Sequence, residues 1–112
     1  MIKVGIIQTR KYTSNDKGIK RVSKLLDKAG NKGVQIVCLP EQWLKDNLIK
    51  NFNLEFLEFR KIVKKHQMTI ILGAFYIKTK SQFKIVSPVI GPTGEIIGMQ
   101  EKIHPFDYEK KL

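Results

Sequence analysis

Five stretches of this chain read as strands, several of them apolar at nearly every position. They are IKVGIIQT (2–9), VQIVCLP (34–40), TIILGAFYIKT (69–79), FKIVSPVIGPTG (83–94) and EIIGMQEK (95–102). A strand with one wet face alternates apolar and polar residues, so a run with little alternation implies burial on both faces. Only two other segments have helical periodicity, and two helices can cover one face of a five-stranded sheet. The opposite face then requires a second sheet or a partner protein. That deficit bounds every fold this chain can adopt.

The order of elements follows from local signals. Thr13, Ser14 and Asn15 offer capping oxygens ahead of Ile19, Val22, Leu25, Leu26 and Ala29, a helical stripe that runs to about Lys32. Gly30 and Gly33 end it. Pro40, without an amide proton, stops the second strand. Strand, helix and strand with short connections favour a parallel pair joined by a right-handed crossover. Residues 45–53, with three asparagines, read as a surface loop. Phe52, Phe56, Phe59 and Val63 then recur at helical spacing, widened by Leu57 and Ile62. Glu55 and Glu58 sit early in that helix and Lys61, Lys64 and Lys65 late, which suits its dipole. This aromatic stripe reads as core. Residues 78–82 form one turn and GPTG another. The order is β-α-β-α-β-β-β, an α/β class with a mixed sheet and two helices on one face. At 112 residues it is one domain or part of one.

Charge and cysteine content narrow the partners. The net charge is +11, yet Lys17, Lys20, Lys24, Lys28 and Lys32 lie around the apolar stripe as a solvated helix face. No basic-aromatic interleaving of the kind a single-strand binder uses is present, so nucleic acid is not an expected partner. No run reaches the roughly 18 apolar residues of a membrane span, and MIKVGIIQTRKYT lacks the features of a secretory leader. One thiol, Cys38, permits no internal disulfide and fits a reducing cytoplasm. Metal-ligand spacing is absent, and neither metal nor cofactor is expected.

Two residues invite a chemical reading. Glu41, in LPEQWL, follows the end of a buried strand, where α/β sheets collect their ligand sites. Beside Trp43 and Leu44 its carboxylate is expected to be partly desolvated, which favours proton abstraction. The plainer alternative is a strand-end glutamate facing water. Lys102 closes the last strand among Ile103, Pro105 and Phe106, where a fixed cation can stabilise an oxyanion. The plainer alternative is one more solvated lysine out of eighteen.

Taken in order, KVGIIQT, VQIVCLPEQWL, IILGAFY and SPVIGPTGEIIGMQEKIHPFD resemble the carbon–nitrogen hydrolase (nitrilase/amidase) superfamily across nearly the whole chain. The most specific piece is GPTGEIIG followed by the Lys-x-His-x-Phe string. The resemblance implies an α-β-β-α sandwich, whose second sheet would cover the bare face. It also implies a glutamate base at Glu41, an oxyanion-stabilising lysine at Lys102, and a cysteine that attacks an amide or nitrile carbon to form a thioester. His104 fits the motif as a residue orienting the lysine loop. Between Lys80 and Ile85 the chain departs from the family, having SQFKI where a tyrosine–asparagine pair is usual.

The family nucleophile lies downstream of the lysine, and residues 1–112 contain no counterpart. Cys38 stands in the middle of an apolar strand and is expected to be a buried, inert thiol. The expected reading is therefore a partial domain over 1–112, the N-terminal half, inactive alone and acting on a small amide or nitrile when completed. The alternative is a non-catalytic subunit that pairs its exposed sheet face with a full-length homologue or with itself. A small basic nucleic-acid-binding protein is the third and weakest reading.

Overall fold

Ser14 sets the start of the first helix. Its extended backbone turns the chain, and its hydroxyl accepts the Lys17 amide at 3.2 Å, satisfying a donor that every helix start leaves free. In the computed structural model, which describes residues 1–80 and 82–101, helix α1 runs Asn15–Asn31. Gly33 follows with a φ of 81°, a left-handed conformation that suits glycine and ends the helix. Val22 and Leu26 of α1 are fully buried, while Lys17, Lys20, Lys24 and Lys28 face solvent.

Strand β1 (Val4–Ile6) precedes α1, and β2 (Ile36–Cys38) follows it as a parallel neighbour. Strand β3 (Thr69–Ile71) lies parallel on the other side of β2. Between them the chain forms α2 (Phe52–Glu55) and α3 (Leu57–His66). The single expected second helix is interrupted at Phe56, where φ is −106° and ψ is 25°. Strands β4 (Phe75–Lys78), β5 (Phe83–Ile90) and β6 (Ile96–Glu101) complete a mixed sheet. One edge of β5 pairs antiparallel with β3 and β4 in turn, and its other edge pairs with β6. The apolar run 69–79 is therefore two collinear strands rather than one. They part at 72–74, where Gly73 has a φ of 105°.

Residues in register share a face. Val37, Ile70 and Ile90 are level with one another and fully buried, in one core with Val22, Leu26, Phe59 and Val63 of the helices. The opposite face carries Val4, Ile6, Ile36, Cys38, Thr69, Ile71, Ser87 and Val89. None of these eight is charged; farther along the same face Tyr76 and Lys78 of β4 are level with Ile85 and Phe83 of β5. Val4 and Ile6 remain 60% and 76% exposed. One helix layer thus covers one sheet face, and the other face is open. Cys38 departs from expectation for that reason: it is half-buried on the open face rather than enclosed in the core.

The two long helices are joined by an ionic contact. His66 Nε2 lies 2.7 Å from Asp27 Oδ1, and Lys65 Nζ donates to the same oxygen at 3.2 Å. The imidazole lies against Gly30, where a Cβ would overlap the ring. The His66 hydrogen bond, then that from Lys65, holds the Asp27 carboxyl below its ordinary value of 3.8. A depressed folded value stabilises the fold above the unfolded value, and this contribution disappears as pH falls through the folded value. Urea midpoints of the wild type and Asp27→Asn should therefore differ at neutral pH and draw together as the pH falls below the ordinary carboxylate range. Midpoints that stay equally separated at low pH would exclude this linkage.

Candidate active-site edge

The last sheet bond of the β2 line runs from the Leu39 amide to Ile71 O at 3.0 Å. Pro40 has no amide to continue it. The chain keeps the same sense and runs on alongside the break between β3 and β4. The Gln42 amide donates to Ala74 O at 2.9 Å, and the Trp43 indole donates to Leu72 O at 2.8 Å. Gly73 lies between those two carbonyl positions, and a Cβ there would run into the Pro40 carbonyl. Trp43 is 4% exposed. Its ring stacks on Phe59 at 5.9 Å and meets Phe56 and Phe75 at 6.4 Å. The aromatic stripe is core, as its spacing suggested, and it anchors the turn that carries Glu41.

The following loop is braced by its own side chains. Asn47 Oδ1 accepts the Leu44 amide at 3.0 Å, while its Nδ2 donates to Leu44 O at 3.0 Å and to Gln42 O at 3.3 Å. Asn15, at the start of α1, bonds both the carbonyl and the amide of Asp46 at 2.9 Å. Tyr76 is gripped through its backbone: its amide donates to Asn47 O at 2.8 Å and its carbonyl accepts the Ile49 amide at 2.9 Å. A depression of about 480 Å³ beside this loop is lined by Lys45, Asp46, Asn47, Leu48, Tyr76 and Phe83. None of these bracing roles was marked in the sequence beyond the asparagine content of the loop.

Glu41 itself is solvent-exposed, and the expected desolvation beside Trp43 and Leu44 is not found. Those apolar neighbours turn into the core and leave the carboxylate outside. The described carboxyl that burial does push up is Glu55 on α2, against the opposing effect of the Lys50 backbone donor. No sequence pattern pointed to it.

Strand directions show what shares an edge with Glu41. Because β3 is parallel to β2, and β5 and β6 are successively antiparallel, β6 runs in the same sense as β2. Cys38, Ile71, Val89 and Gly98 are level across the sheet. Glu41 is three residues beyond Cys38, and Glu101 is three beyond Gly98. The Glu41 turn and the end of β6 therefore lie at one edge of the sheet. From β2 to β6 there are three strand spacings, roughly 14 Å, and the turn leans across that gap towards Ala74. Lys102 and His104 lie outside the described residues. Among the described residues, no three His, Cys, Asp or Glu side chains gather as a metal site requires. None of the described helices is long and apolar enough to cross a membrane.

Comparison with known proteins decides the family. The family model described as carbon-nitrogen hydrolase matches residues 3–112. The chain belongs to the carbon–nitrogen hydrolase family. A nitrilase from Meyerozyma guilliermondii is 28% identical over 132 residues, covering 99% of this chain and 41% of that protein. A cyanide hydratase from Alternaria brassicicola is 24% identical over 83% of this chain and 31% of its own length. Among solved structures, a carbon-nitrogen hydrolase from Helicobacter pylori matches with a TM-score of 0.79 and 25% identity, covering 97% of this chain and 42% of that one. The chain thus spans about two-fifths or less of the curated relatives it matches. A Nesterenkonia amidase of the nitrilase superfamily, 13% identical with a TM-score of 0.75, shares the fold.

In this family member the edge depends on Trp43 and Gly73, and both can be tested by chemical denaturation. Trp43→Ala should lower the unfolding free energy by about 3–5 kcal/mol through the lost aromatic volume. Trp43→Phe keeps most of the ring and should cost about 1–3 kcal/mol by leaving Leu72 O unsatisfied. Gly73→Ala meets both the left-handed φ and the Pro40 carbonyl and should cost at least about 1–2 kcal/mol. A neutral Gly73→Ala would mean that the break is not held as described.

Proposed function

We propose that Glu41 and Lys102 are the general base and the oxyanion-stabilising cation of a carbon–nitrogen hydrolase acting on a small amide or nitrile. The observation that carries this reading is the placement of Glu41 on a braced turn at the carboxyl ends of parallel strands, with β6 ending at the same edge immediately before Lys102. The nucleophilic thiol comes from outside residues 1–112. Cys38 has the wrong placement for that role, since it stands within β2 on the open sheet face.

The chemistry is covalent. Glu41 takes the proton of the thiol as sulfur attacks the amide carbon, and the ammonium of Lys102 stabilises the resulting oxyanion. Collapse breaks the C–N bond, with Glu41 returning the proton to the leaving nitrogen, and leaves a thioester. Water, deprotonated by Glu41, then releases the acid and restores the thiol. A nitrile adds the thiol to give a thioimidate, which water converts by the same groups. Bulk water around the exposed Glu41 is replaced, in the working enzyme, by the layer that covers the open face. The reaction proceeds in a reducing cytoplasm, where the nucleophilic thiol stays reduced.

The exposed apolar residues of the open face, Val4 and Ile6, favour one second reading, a non-catalytic subunit that pairs this face with a full-length homologue or with a second copy. Size-exclusion chromatography with and without a homologue separates the two readings by complex formation without turnover.

Purified 1–112 alone should release no ammonia from amides or nitriles above background. Combined with a C-terminal portion of the family domain that carries the thiol, it should hydrolyse them. Glu41→Gln should reduce that rate by about 10²–10⁴-fold, and Lys102→Met by roughly 10²–10³-fold. Turnover by 1–112 alone that is abolished by Glu41→Ala would refute the need for an external thiol. A combined activity indifferent to Glu41→Gln would refute the base.

A further inference from the structure

Two non-glycine residues have left-handed backbone, Gln42 with φ of 49° and Gln67 with φ of 54°. Gln67 is explained by its place: it caps the C-terminus of α3, with its amide turned back to the helix carbonyls. Gln42 caps nothing. Glutamine is not among the residues enriched in this conformation, so its backbone must be held there by its surroundings.

The consequence lies in the residues on either side. Along an extended chain, positions 41 and 43 would face the same way. Either the Glu41 carboxylate would enter the core with Trp43, or the indole would be expelled with the carboxylate. The left-handed residue between them breaks that alternation. Trp43 goes under while Glu41 stays out. We infer that Gln42, held by Tyr76, is a positioning residue that sets the direction in which Glu41 leaves the sheet.

The hold on Gln42 is threefold. Its amide donates to Ala74 O at 2.9 Å, its carbonyl accepts Asn47 Nδ2 at 3.3 Å, and its side-chain amide donates to the Tyr76 hydroxyl at 2.9 Å. Only the last of these depends on side chains at both ends. Tyr76 is suited to the task because the loop grips its backbone at both amide and carbonyl, through Asn47 and Ile49. Its phenol therefore projects from a fixed base. Removing the hydroxyl frees the Gln42 side chain without touching the core, since Tyr76 is on the face opposite to the fully buried Phe75.

The catalytic meaning of this clamp rests on Glu41 being the base, but its test does not. Amide hydrogen exchange and side-chain methylene relaxation at Glu41 are read by NMR in the full chain. Tyr76→Phe should speed exchange of the Gln42 amide roughly five- to tenfold and loosen the Glu41 methylenes. Exchange at Val37 and Ile70, and the urea midpoint, should stay as in the wild type. Gln42→Gly accepts the left-handed φ without strain, so it should keep the turn, and adding Tyr76→Phe to it should change nothing further. Gln42→Asn tolerates the same φ but has too short a side chain to reach the phenol, and should reproduce Tyr76→Phe. The clamp is refuted if Tyr76→Phe leaves Glu41 and Gln42 unchanged, if it acts equally in the Gln42→Gly background, or if exchange rises uniformly across the sheet. If the clamp holds while hydrolysis ignores Glu41→Gln, the base assignment fails and the positioning stands.

Discussion

The Trp43 indole is where the hydrophobic core and the Glu41 edge become one structure. Its ring belongs to the aromatic cluster of Phe56, Phe59 and Phe75, and its N–H ends on a backbone carbonyl of the strand break. Edge contacts between aromatic rings add about 0.5–1.5 kcal/mol each beyond their area, and the buried hydrogen bond avoids the penalty of an unpaired carbonyl. The turn at 40–44 therefore inherits its rigidity from α3 and β4. A solvent-exposed carboxylate two residues from a buried ring is held by that ring, although it does not touch the core itself.

The elements of the fold were largely legible because they are local. Apolar spacing in Ile19–Ala29 and Phe52–Val63, the Ser14 cap, the GPTG turn and the parallel β1–β2 pair all follow from short-range patterns, and each is present. What the patterns did not reveal was set by contacts distant in sequence. The strand break exists because Gly73 meets the Pro40 carbonyl, thirty-three positions earlier. The left-handed Gln42 exists because Ala74, Asn47 and Tyr76 hold it. Glu41 is exposed for a similar reason: Trp43 is its neighbour in the chain, but the left-handed Gln42 between them sends the two side chains apart. The common edge of β2 and β6 follows from register alone.

Charge is segregated by layer. The cations of α1 and α3 face outward from the helices, and eight positions across β1, β2, β3 and β5 on the opposite face carry no charge at all. Sheets that stack face to face lie about 10 Å apart, and on this face Val4 and Ile6 remain 60% and 76% exposed.

The eight residues of β5 have a kinetic consequence. This strand helps keep β3 and β4 in line, because each pairs with a different stretch of its edge. During synthesis the first parallel strands and α1 emerge long before residues 83–90. The strand break beside the carbonyls at 72 and 74 is fixed in part by that late strand, through the Leu72 amide bonded to Pro88 O at 3.0 Å. The turn bearing Glu41 hangs on those carbonyls. It is thus among the last features to set as the polypeptide leaves the ribosome, even though its own residues appear early, and its assembly is governed by loop closure over tens of residues rather than by local helix formation.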